Sequence, residues 1–412
     1  MEQVNTPAFI RRFGFVAVVS LALAAATGVL LRFGLVAGFP TWAQNYNAVR
    51  HAHSHLMYFG WVTVALMALI WHYLPILTGR RLPRGAGAQM TASAFLALLS
   101  YPAFWSNGYG LTNVAGRDLP LGSITAGLNG LGWFLFVGLY VRATWRLPAR
   151  PLPVQLWDWG LILLVVSSLG AFGIAATVAL DLSSPLLQEA FLHLFLDLFA
   201  VGWFSLGLLG VLWAGLARQG PLPEGLPSQW LAVALTPTFV LGMSPVVVTP
   251  PMLWLAALAN GVAAALLARH LAALWQRRHA LPRLVWFAGA ALAVYLGATL
   301  LALWPGLWRW AAGTQLRVFI LHLFLLGWVS SGLLATLTAA TGQARAGRQR
   351  VAGIVWMVGV TAMLVALAGL GLAAVIPVRP SFWLWAAAWA SLLPTAVGVW
   401  TMLIWRPRRT QG

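Results

Sequence analysis

The stretch of sequence that decides the fold is His51–Trp61, which reads His-Ala-His-Ser-His-Leu-Met-Tyr-Phe-Gly-Trp. Its last seven residues recur twice in altered form. Asp197–Trp203 reads Asp-Leu-Phe-Ala-Val-Gly-Trp, and His322–Trp328 reads His-Leu-Phe-Leu-Leu-Gly-Trp. Each copy opens a long apolar run, where an ionisable side chain is costly and usually has a partner. Three apolar helices that begin with His or Asp in this way indicate a set of cofactor or metal ligands.

The composition around these motifs is that of a membrane protein. Of the 412 residues, 61% are hydrophobic and only 8% are charged, which is outside the range of soluble domains. The net charge of +18 comes from arginines in short loops between apolar runs, so membrane lipid is the expected partner and nucleic acid is not. Cysteine is absent, which excludes disulfides, thiolate metal sites and covalently attached c-type haem.

Apolar runs separated by Pro, Gly and Arg predict about twelve transmembrane helices, because about 20 apolar residues cross a bilayer. The predicted spans are 13–37, 52–77, 88–108, 122–145, 156–180, 188–217, 229–248, 251–275, 283–304, 317–341, 351–376 and 382–405. The motif copies lie on predicted helices two, six and ten, which suggests three pseudo-repeats of four helices at about 13–145, 156–275 and 283–405. We therefore expect an all-α polytopic membrane helix bundle that forms a single integral membrane domain over residues 1–412.

The arginines predict the orientation in the membrane. With twelve helices, five arginine-rich groups fall on one face, which should be cytoplasmic together with both termini. These groups are Arg80, Arg81 and Arg84; Arg142, Arg146 and Arg150; Arg277, Arg278 and Arg283; Arg345, Arg348 and Arg350; and Arg406, Arg408 and Arg409. The motif residues then lie in the outer third of the bilayer. We expect a multi-pass protein of a bacterial or archaeal inner membrane.

Helical geometry divides the histidines of predicted helix two. Residues four apart share a helix face, whereas residues two apart point about 200° apart. His51 and His55 can therefore serve one site while His53 faces another, and His193 shares a face with Asp197. Imidazole is a good ligand for haem iron and copper. The haem-ligand candidates are His53, His55 and His322, and the metal-ligand candidates are His51, His55, His193, His322 and Asp197.

Several of these residues have a simpler interpretation as well. A single intramembrane histidine is often only a hydrogen-bonded structural residue, and the alternative for His53 is that it faces the membrane interface. Asp197 is a candidate for orienting a ligand histidine or relaying a proton, or is buried by a hydrogen bond to a neighbouring helix. Arg50 and Arg317 are candidates to pair with haem propionates, and snorkelling to the interface is the alternative.

The remaining histidines and the motif glycines carry further expectations. His72 is expected in an interfacial aromatic belt, and His270 and His279 are expected as solvated residues at loop ends. The motif glycines make room either for a flat macrocycle or for close helix packing. These glycines are Gly60, Gly202 and Gly327.

The motif arrangement resembles the haem-copper oxidase superfamily, catalytic-subunit type, in its helices two, six and ten. His51-Ala52-His53-Ser54 followed by Gly60-Trp61 is similar to the His-x-His-Ser…Gly-Trp string of C-type members, where it lies on helix ten. The chain also resembles the NnrS family of membrane haem and copper proteins. There a Trp-His-Ala-His-Glu-Met motif precedes a helix ending in Pro-x-Trp-Thr-Gly-Arg, and here the helix ends Pro75-Ile76-Leu77-Thr78-Gly79-Arg80.

The resemblance implies a low-spin haem b ligand at His53 or His55, with His322 as its partner on predicted helix ten. It also implies a copper or other metal ligand at His193. The chain departs from the oxidase pattern in two respects. It has no histidine around the start of predicted helix seven or in the following loop, where oxidases have two, and only His322 lies on predicted helix ten. Dioxygen reduction coupled to proton pumping is therefore not expected.

The sequence favours a membrane b-type haem protein, with copper or non-haem iron as a candidate second metal. Its role would be electron transfer, or an oxidoreductase activity on nitric oxide or oxygen. The electron donor would be a protein such as cytochrome c or a cupredoxin, or a quinol. The rival interpretations are a twelve-helix proton or metal transporter and a non-catalytic haem or copper sensor or assembly protein. Transporters of this size usually have a two-fold organisation, whereas the motif spacing here predicts threes.

Overall fold

The computed structural model describes residues 6–342 and 346–405, and almost all of this chain is helical. The helices are α1 (Thr6–Ala37), α2 (Tyr46–His55), α3 (Val64–Thr78), α4 (Ala86–Asn107), α5 (Leu121–Thr144), α6 (Leu152–Ala179), α7 (Pro185–Leu198), α8 (Ser205–Ala217), α9 (Gln229–Leu235), α10 (Pro250–Gln276), α11 (Arg283–Leu300), α12 (Pro305–Ala312), α13 (Leu316–His322), α14 (Ser331–Thr341), α15 (Ala346–Gly371), α16 (Pro380–Ala390) and α17 (Leu392–Ile404). Several of these join end to end, so the number of membrane spans is smaller than the number of helices.

Ten helical stretches in the described ranges are long and apolar enough to cross a membrane. The expectation of a helical, multi-pass membrane protein is therefore confirmed. The predicted span 88–108 corresponds to α4, which is 22 residues long but not among these ten. The predicted span 229–248 corresponds to α9 and a 3₁₀ turn that together end at Gly242, which is short for a bilayer that needs about 20 residues. The count of twelve and the four-helix repeat stay predictions.

Each copy of the motif begins at the end of an α-helix and continues into a π-helical segment. These segments are Leu56–Thr63, Phe199–Phe204 and Leu323–Ser330, and each joins two α-helices into one long helix. A π turn contains one more residue than an α turn, so the side chains after it are rotated about the helix axis relative to those before it. Such segments are rare and often mark functional sites. The motif is thus a recurring local structure as well as a recurring string.

The motif glycines bring the π segments close to a neighbouring helix. A Cβ atom on Gly60 would lie 2.6 Å from Ser20 Oγ of α1, and one on Gly202 would lie 2.8 Å from Leu163 Cδ1 of α6. The third π segment also packs against a neighbouring helix, α11. The adjacent tryptophans Trp61, Trp203 and Trp328 are completely buried. At Gly60 and Gly202, the interpretation as close helix packing is therefore the correct one.

The contacts divide the chain into two compact units. Unit one comprises Met1–Leu147 and Leu333–Gly412, and unit two comprises Pro148–Gly332. In unit one, α1 packs against the first π segment, α3, α16 and α17, and in unit two α6 packs against α7 and α8. The third predicted repeat, 283–405, is divided between the two units. The prediction of one integral domain stays a prediction.

Two of the predicted arginine loops meet at one end of unit one. The Arg80 guanidinium donates hydrogen bonds to the carbonyls of Ala143, Trp145 and Arg146, at 3.1, 2.6 and 2.9 Å, in the segment that follows α5. These loops therefore lie on the same side, as the arginine pattern predicts. Arg345, Arg406, Arg408 and Arg409 lie outside the described residues.

A short β-hairpin connects α4 to α5, and the sequence analysis did not predict it. Strands β1 (Thr112–Val114) and β2 (Arg117–Leu119) pair antiparallel, with Asn113 opposite Asp118. The turn residues Ala115 and Gly116 both have positive φ, 52° and 80°, as a two-residue hairpin turn requires. The hairpin follows a glycine-flanked loop, residues 108–111, which lies beside the first histidine cluster.

We expect Gly60→Ala to lower the free energy of unfolding by about 1–3 kcal/mol, because the added methyl group overlaps Ser20 in a tightly packed contact. Gly130→Ala on α5 is the matched control, since a Cβ there would have no neighbour within 4 Å. Thermal unfolding in detergent measures both. Equal melting temperatures for the two variants would contradict the packing role of Gly60.

The absence of native cysteine allows the orientation to be tested with single cysteines. We expect Arg84→Cys, in the arginine loop after α3, to react with a membrane-impermeant maleimide only after the cytoplasmic side is opened. Ser183→Cys, before α7, should react in intact cells. The parent chain is the blank. Labelling of both positions from one side would overturn the predicted orientation.

Candidate histidine and charged clusters

Three of the predicted ligand histidines each make the same type of hydrogen bond, from ring Nδ1 to a backbone carbonyl oxygen. Nδ1 of His53 lies 2.7 Å from the Ala24 carbonyl oxygen, Nδ1 of His55 lies 2.8 Å from that of His51, and Nδ1 of His322 lies 2.7 Å from that of Val318. A carbonyl oxygen only accepts, so Nδ1 carries the hydrogen in each ring. In a neutral imidazole the lone pair is then on Nε2. Histidines that bind metals are held in the same way.

His51 and His55 face one site, as the helical spacing predicts. Their ring centroids are 6.0 Å apart, and Tyr109 contacts both rings. Nε2 of His55 accepts a hydrogen bond from the Tyr109 hydroxyl at 2.8 Å. The His55 ring is buried and stacks on Phe104, with centroids 3.7 Å apart and planes 20° apart. The cluster is compact and aromatic.

Sequence reasoning missed Tyr109. It lies in the loop after α4, between two glycines, and Gly108 has a φ of 60°. A Cβ on Gly108 would lie 3.3 Å from His51 Cδ2, so the loop is folded closely over α2. Half of the Tyr109 surface is exposed, while its hydroxyl end is packed against His55. Desolvation there raises the pKa of Tyr109 to about 12, so the phenol stays protonated and donates at neutral pH.

His53 faces α1 and forms a separate site. Its three neighbours Ala24, Gly28 and Arg32 are four residues apart and share one face of α1. Ala24 supplies the carbonyl, a Cβ on Gly28 would lie 3.1 Å from His53 Cε1, and Arg32 is near enough for its charge to act on the ring. Within residues 6–342 and 346–405, His53 Nε2 has no hydrogen-bond partner. The predicted separation of His53 from His51 and His55 is confirmed.

The third cluster lies in unit two around His193, which is buried. Nδ1 of His193 lies 2.5 Å from Oδ2 of Asp197, and Nε2 lies 3.3 Å from Oε2 of Glu189. The three residues are four apart on α7 and share a face. Glu189 also accepts from the backbone N–H of Ser244 at 3.0 Å. Sequence reasoning missed Glu189, although its spacing of four from His193 is visible in the sequence.

Arg317 contacts His193 in this structure. Its Nη2 atom lies 3.3 Å from Nδ1 and 3.2 Å from Nε2 of the ring. With Nδ1–H donated to Asp197, the Nε2 lone pair accepts from Arg317. The cluster then has two carboxylates and one guanidinium, so protonation of His193 would make it neutral. A metal bound at Nε2 would have to displace Arg317.

The Arg50 guanidinium lies over the Tyr46 ring at 6.0 Å, which is a cation–π contact. His279 is exposed, as predicted. The prediction of a solvated His270 was wrong. His270 is completely buried on α10, where Nδ1 accepts from Trp213 Nε1 at 3.2 Å and Nε2 donates to the Pro227 carbonyl at 3.3 Å.

His72 is also buried, at 7% exposure, with its ring 4.8 Å from that of Tyr73. It therefore lies inside unit one and does not form part of a belt that faces lipid.

Each motif copy also ends on a buried hydroxyl that the sequence analysis overlooked. Thr63, Ser205 and Ser330 lie two residues after the motif tryptophan and are at most 1% exposed. Neither Thr63 Oγ1 nor Ser205 Oγ has a hydrogen-bond partner in the part of the chain that the structure describes. The repeated unit is therefore His or Asp, then Gly-Trp, then Ser or Thr. Buried polar atoms of this kind are usually satisfied by water.

Comparison of the sequence with known protein families and with curated proteins finds no match. Within the described ranges, no group of three or more His, Asp and Glu side chains is arranged to hold a metal ion. The site assignments therefore depend on the geometry of the three clusters: His51–His55–Tyr109, His53 with α1, and His193 with its charged neighbours.

We expect Asp197→Asn to lower the free energy of unfolding by about 1–3 kcal/mol, because it replaces a charge-assisted hydrogen bond to a buried histidine. Asp118→Asn, on the exposed hairpin, is the control. Thermal unfolding in detergent at neutral pH measures the difference. Equal stability of the two variants would mean that the His193–Asp197 contact contributes nothing to the fold.

Proposed function

We propose that this protein is an integral membrane b-type haem protein in which His53 is an axial ligand. The observation that carries the proposal is the state of the His53 ring. Its Nδ1–H is held by the Ala24 carbonyl at 2.7 Å, and its Nε2 has no partner in the described chain. An anchored, neutral imidazole with an available Nε2 is what an axial haem ligand requires. His322 has the same anchor and is proposed as a second ligand.

His55 fits this role less well than His53, although both were candidates. Nε2 of His55 already accepts the Tyr109 hydroxyl, so an iron atom there would have to displace the tyrosine. At His53 no hydrogen bond to Nε2 has to be displaced, and Gly28 accommodates the ring, since a Cβ there would lie 3.1 Å from His53 Cε1. Of the two candidates on predicted helix two, we therefore propose His53 as the haem ligand.

The residues around His53 suit the rest of a haem as well. Arg32 lies on the same face of α1 as Ala24 and Gly28, and no carboxylate pairs with it among the described residues. An arginine within an apolar helix needs an anionic partner, and a haem propionate would supply one. Arg32 is thus proposed for the role that the sequence suggested for Arg50 and Arg317. Arg50 remains a candidate, whereas Arg317 lies on His193.

A haem bound here would supply one-electron redox chemistry, and the chain would bind and orient it and exclude water from it. The role proposed is electron transfer, or nitric oxide or oxygen chemistry, with cytochrome c, a cupredoxin or a quinol as donor. The likeness of the motif helices to haem-copper oxidases and to NnrS supports this class. The chain has fewer candidate metal-binding histidines than haem-copper oxidases have, which argues against dioxygen reduction coupled to proton pumping.

A second candidate function is a proton-coupled transporter, and the His193 cluster favours it. Glu189, His193 and Asp197 lie on one candidate membrane-spanning helix, and Arg317 contacts His193 from another. Charged groups within membrane helices mark proton and ion paths. A transporter function does not require haem. The two functions are therefore separated by whether the purified protein contains haem.

Absorption spectra and a pyridine haemochrome assay on protein purified from haem-replete cells test the proposal. We expect a Soret band with b-type haem, which His53→Ala abolishes or converts to a high-spin form and which added imidazole restores in that variant. His279→Ala, on an exposed turn, should leave the spectrum unchanged. The spectrum of His322→Ala tells whether His322 is a ligand. Protein without a Soret band would reject the haem proposal and favour the transporter.

A further inference from the structure

The His51–His55–Tyr109 cluster is not used by the proposed haem ligands, and its three side chains converge. His51 and His55 lie four residues apart on α2, which is the spacing at which two helical histidines bind one metal ion. Two imidazoles on a common ion with bonds of about 2.0–2.1 Å have ring centres roughly 5–6 Å apart. The observed separation of 6.0 Å is compatible with that geometry.

Tyr109 provides a third ligand atom at the right place. Its hydroxyl oxygen lies 2.8 Å from Nε2 of His55, which is close to the distance between two ligand atoms of one metal ion. Its ring is 4.9 Å from that of His51, in an edge-on contact. The phenol oxygen and the His55 nitrogen are therefore adjacent, and the rings of both residues contact His51.

The surroundings hold these ligands in position. The His55 Nδ1–H is donated to the His51 carbonyl, so one ligand's backbone orients the other ligand's ring. Phe104 stacks on His55, and Phe59 meets its edge at 5.1 Å. His51 is partly exposed and Tyr109 is half exposed, so an ion can enter from that side. The nearest arginine in the sequence, Arg50, is directed onto Tyr46.

We propose that His51, His55 and Tyr109 form a binding site for one divalent first-row transition-metal ion, distinct from the haem site at His53. Two imidazole nitrogens and one phenol oxygen suit Cu²⁺ and Zn²⁺, and Cu²⁺ should bind more tightly. On binding, the ion replaces the hydrogen bond between Tyr109 and His55, and the phenol proton is released to solvent. A fourth position is left for water or a small ligand.

The site is tested on the full chain in detergent after treatment with EDTA. Isothermal titration with Zn²⁺ should show one site, and Co²⁺ should give the visible absorption of a tetrahedral complex. His51→Ala and His55→Ala should weaken Zn²⁺ binding by roughly 100-fold or more, since losing even a group that orients a ligand costs about 10- to 100-fold. Tyr109→Phe should weaken binding by about 10-fold and reduce proton release, which is measured from the buffer dependence of the heat.

His279→Ala and Tyr101→Phe are the controls, and both should bind Zn²⁺ as the parent does. Thermal unfolding of each variant shows whether it is folded. Absence of Zn²⁺ and Cu²⁺ binding to folded parent protein would overturn the proposal, as would equal binding by all variants. The haem proposal and the metal-site proposal can be refuted independently of each other. His53→Ala should lose haem and keep the metal site, and a chain that binds Zn²⁺ without any Soret band would retain this site alone.

Discussion

A backbone carbonyl can only accept a hydrogen bond, and this constraint determines the tautomer of three candidate ligand histidines. At His53, His55 and His322 it places the hydrogen on Nδ1 and leaves Nε2 as an acceptor. At His55 and His322 the carbonyl belongs to the residue four positions earlier, so the helix itself supplies the anchor. At His53 it belongs to a neighbouring helix. His53 and His55 then differ at Nε2, which accepts the Tyr109 hydroxyl in His55 but has no such hydrogen bond in His53 among the described residues.

Close packing around the motif makes these anchors possible. The π segments begin immediately after His55 and His322, and the glycine of the motif brings the segment at Gly60 against α1. Gly28 of α1 likewise allows the His53 ring of α2 to come close, since a Cβ there would lie 3.1 Å from His53 Cε1. The histidine therefore reaches Ala24 only because two glycines allow two helices to approach. The helix packing and the orientation of the His53 ring are consequences of one local arrangement.

The distribution of charge separates the second motif copy from the other two. The chain has only 7 acidic residues, and two of them, Glu189 and Asp197, surround His193. Where the other copies have a histidine held by a neutral carbonyl, this copy has an aspartate that holds a histidine one turn earlier. Arg317 then balances part of the negative charge. The first position of the motif is therefore an aspartate within a charged network in the second copy and a histidine bonded to a neutral carbonyl in the other two.

The sequence by itself determined the helical membrane class, the position of the motif helices and the division of His51 and His55 from His53. These follow from composition and from the fixed 3.6-residue turn, which covalent geometry imposes locally. Only the tertiary structure decided which groups meet the rings, because those partners are distant in the chain: Ala24 is 29 residues from His53, Tyr109 is 54 from His55, and Arg317 is 124 from His193. The same reason explains His270, which reads as a loop-end residue beside Arg269 but is enclosed by Trp213 and the Pro227 carbonyl. Periodicity identifies the face of a helix, whereas the packing of other segments against that face decides its chemistry.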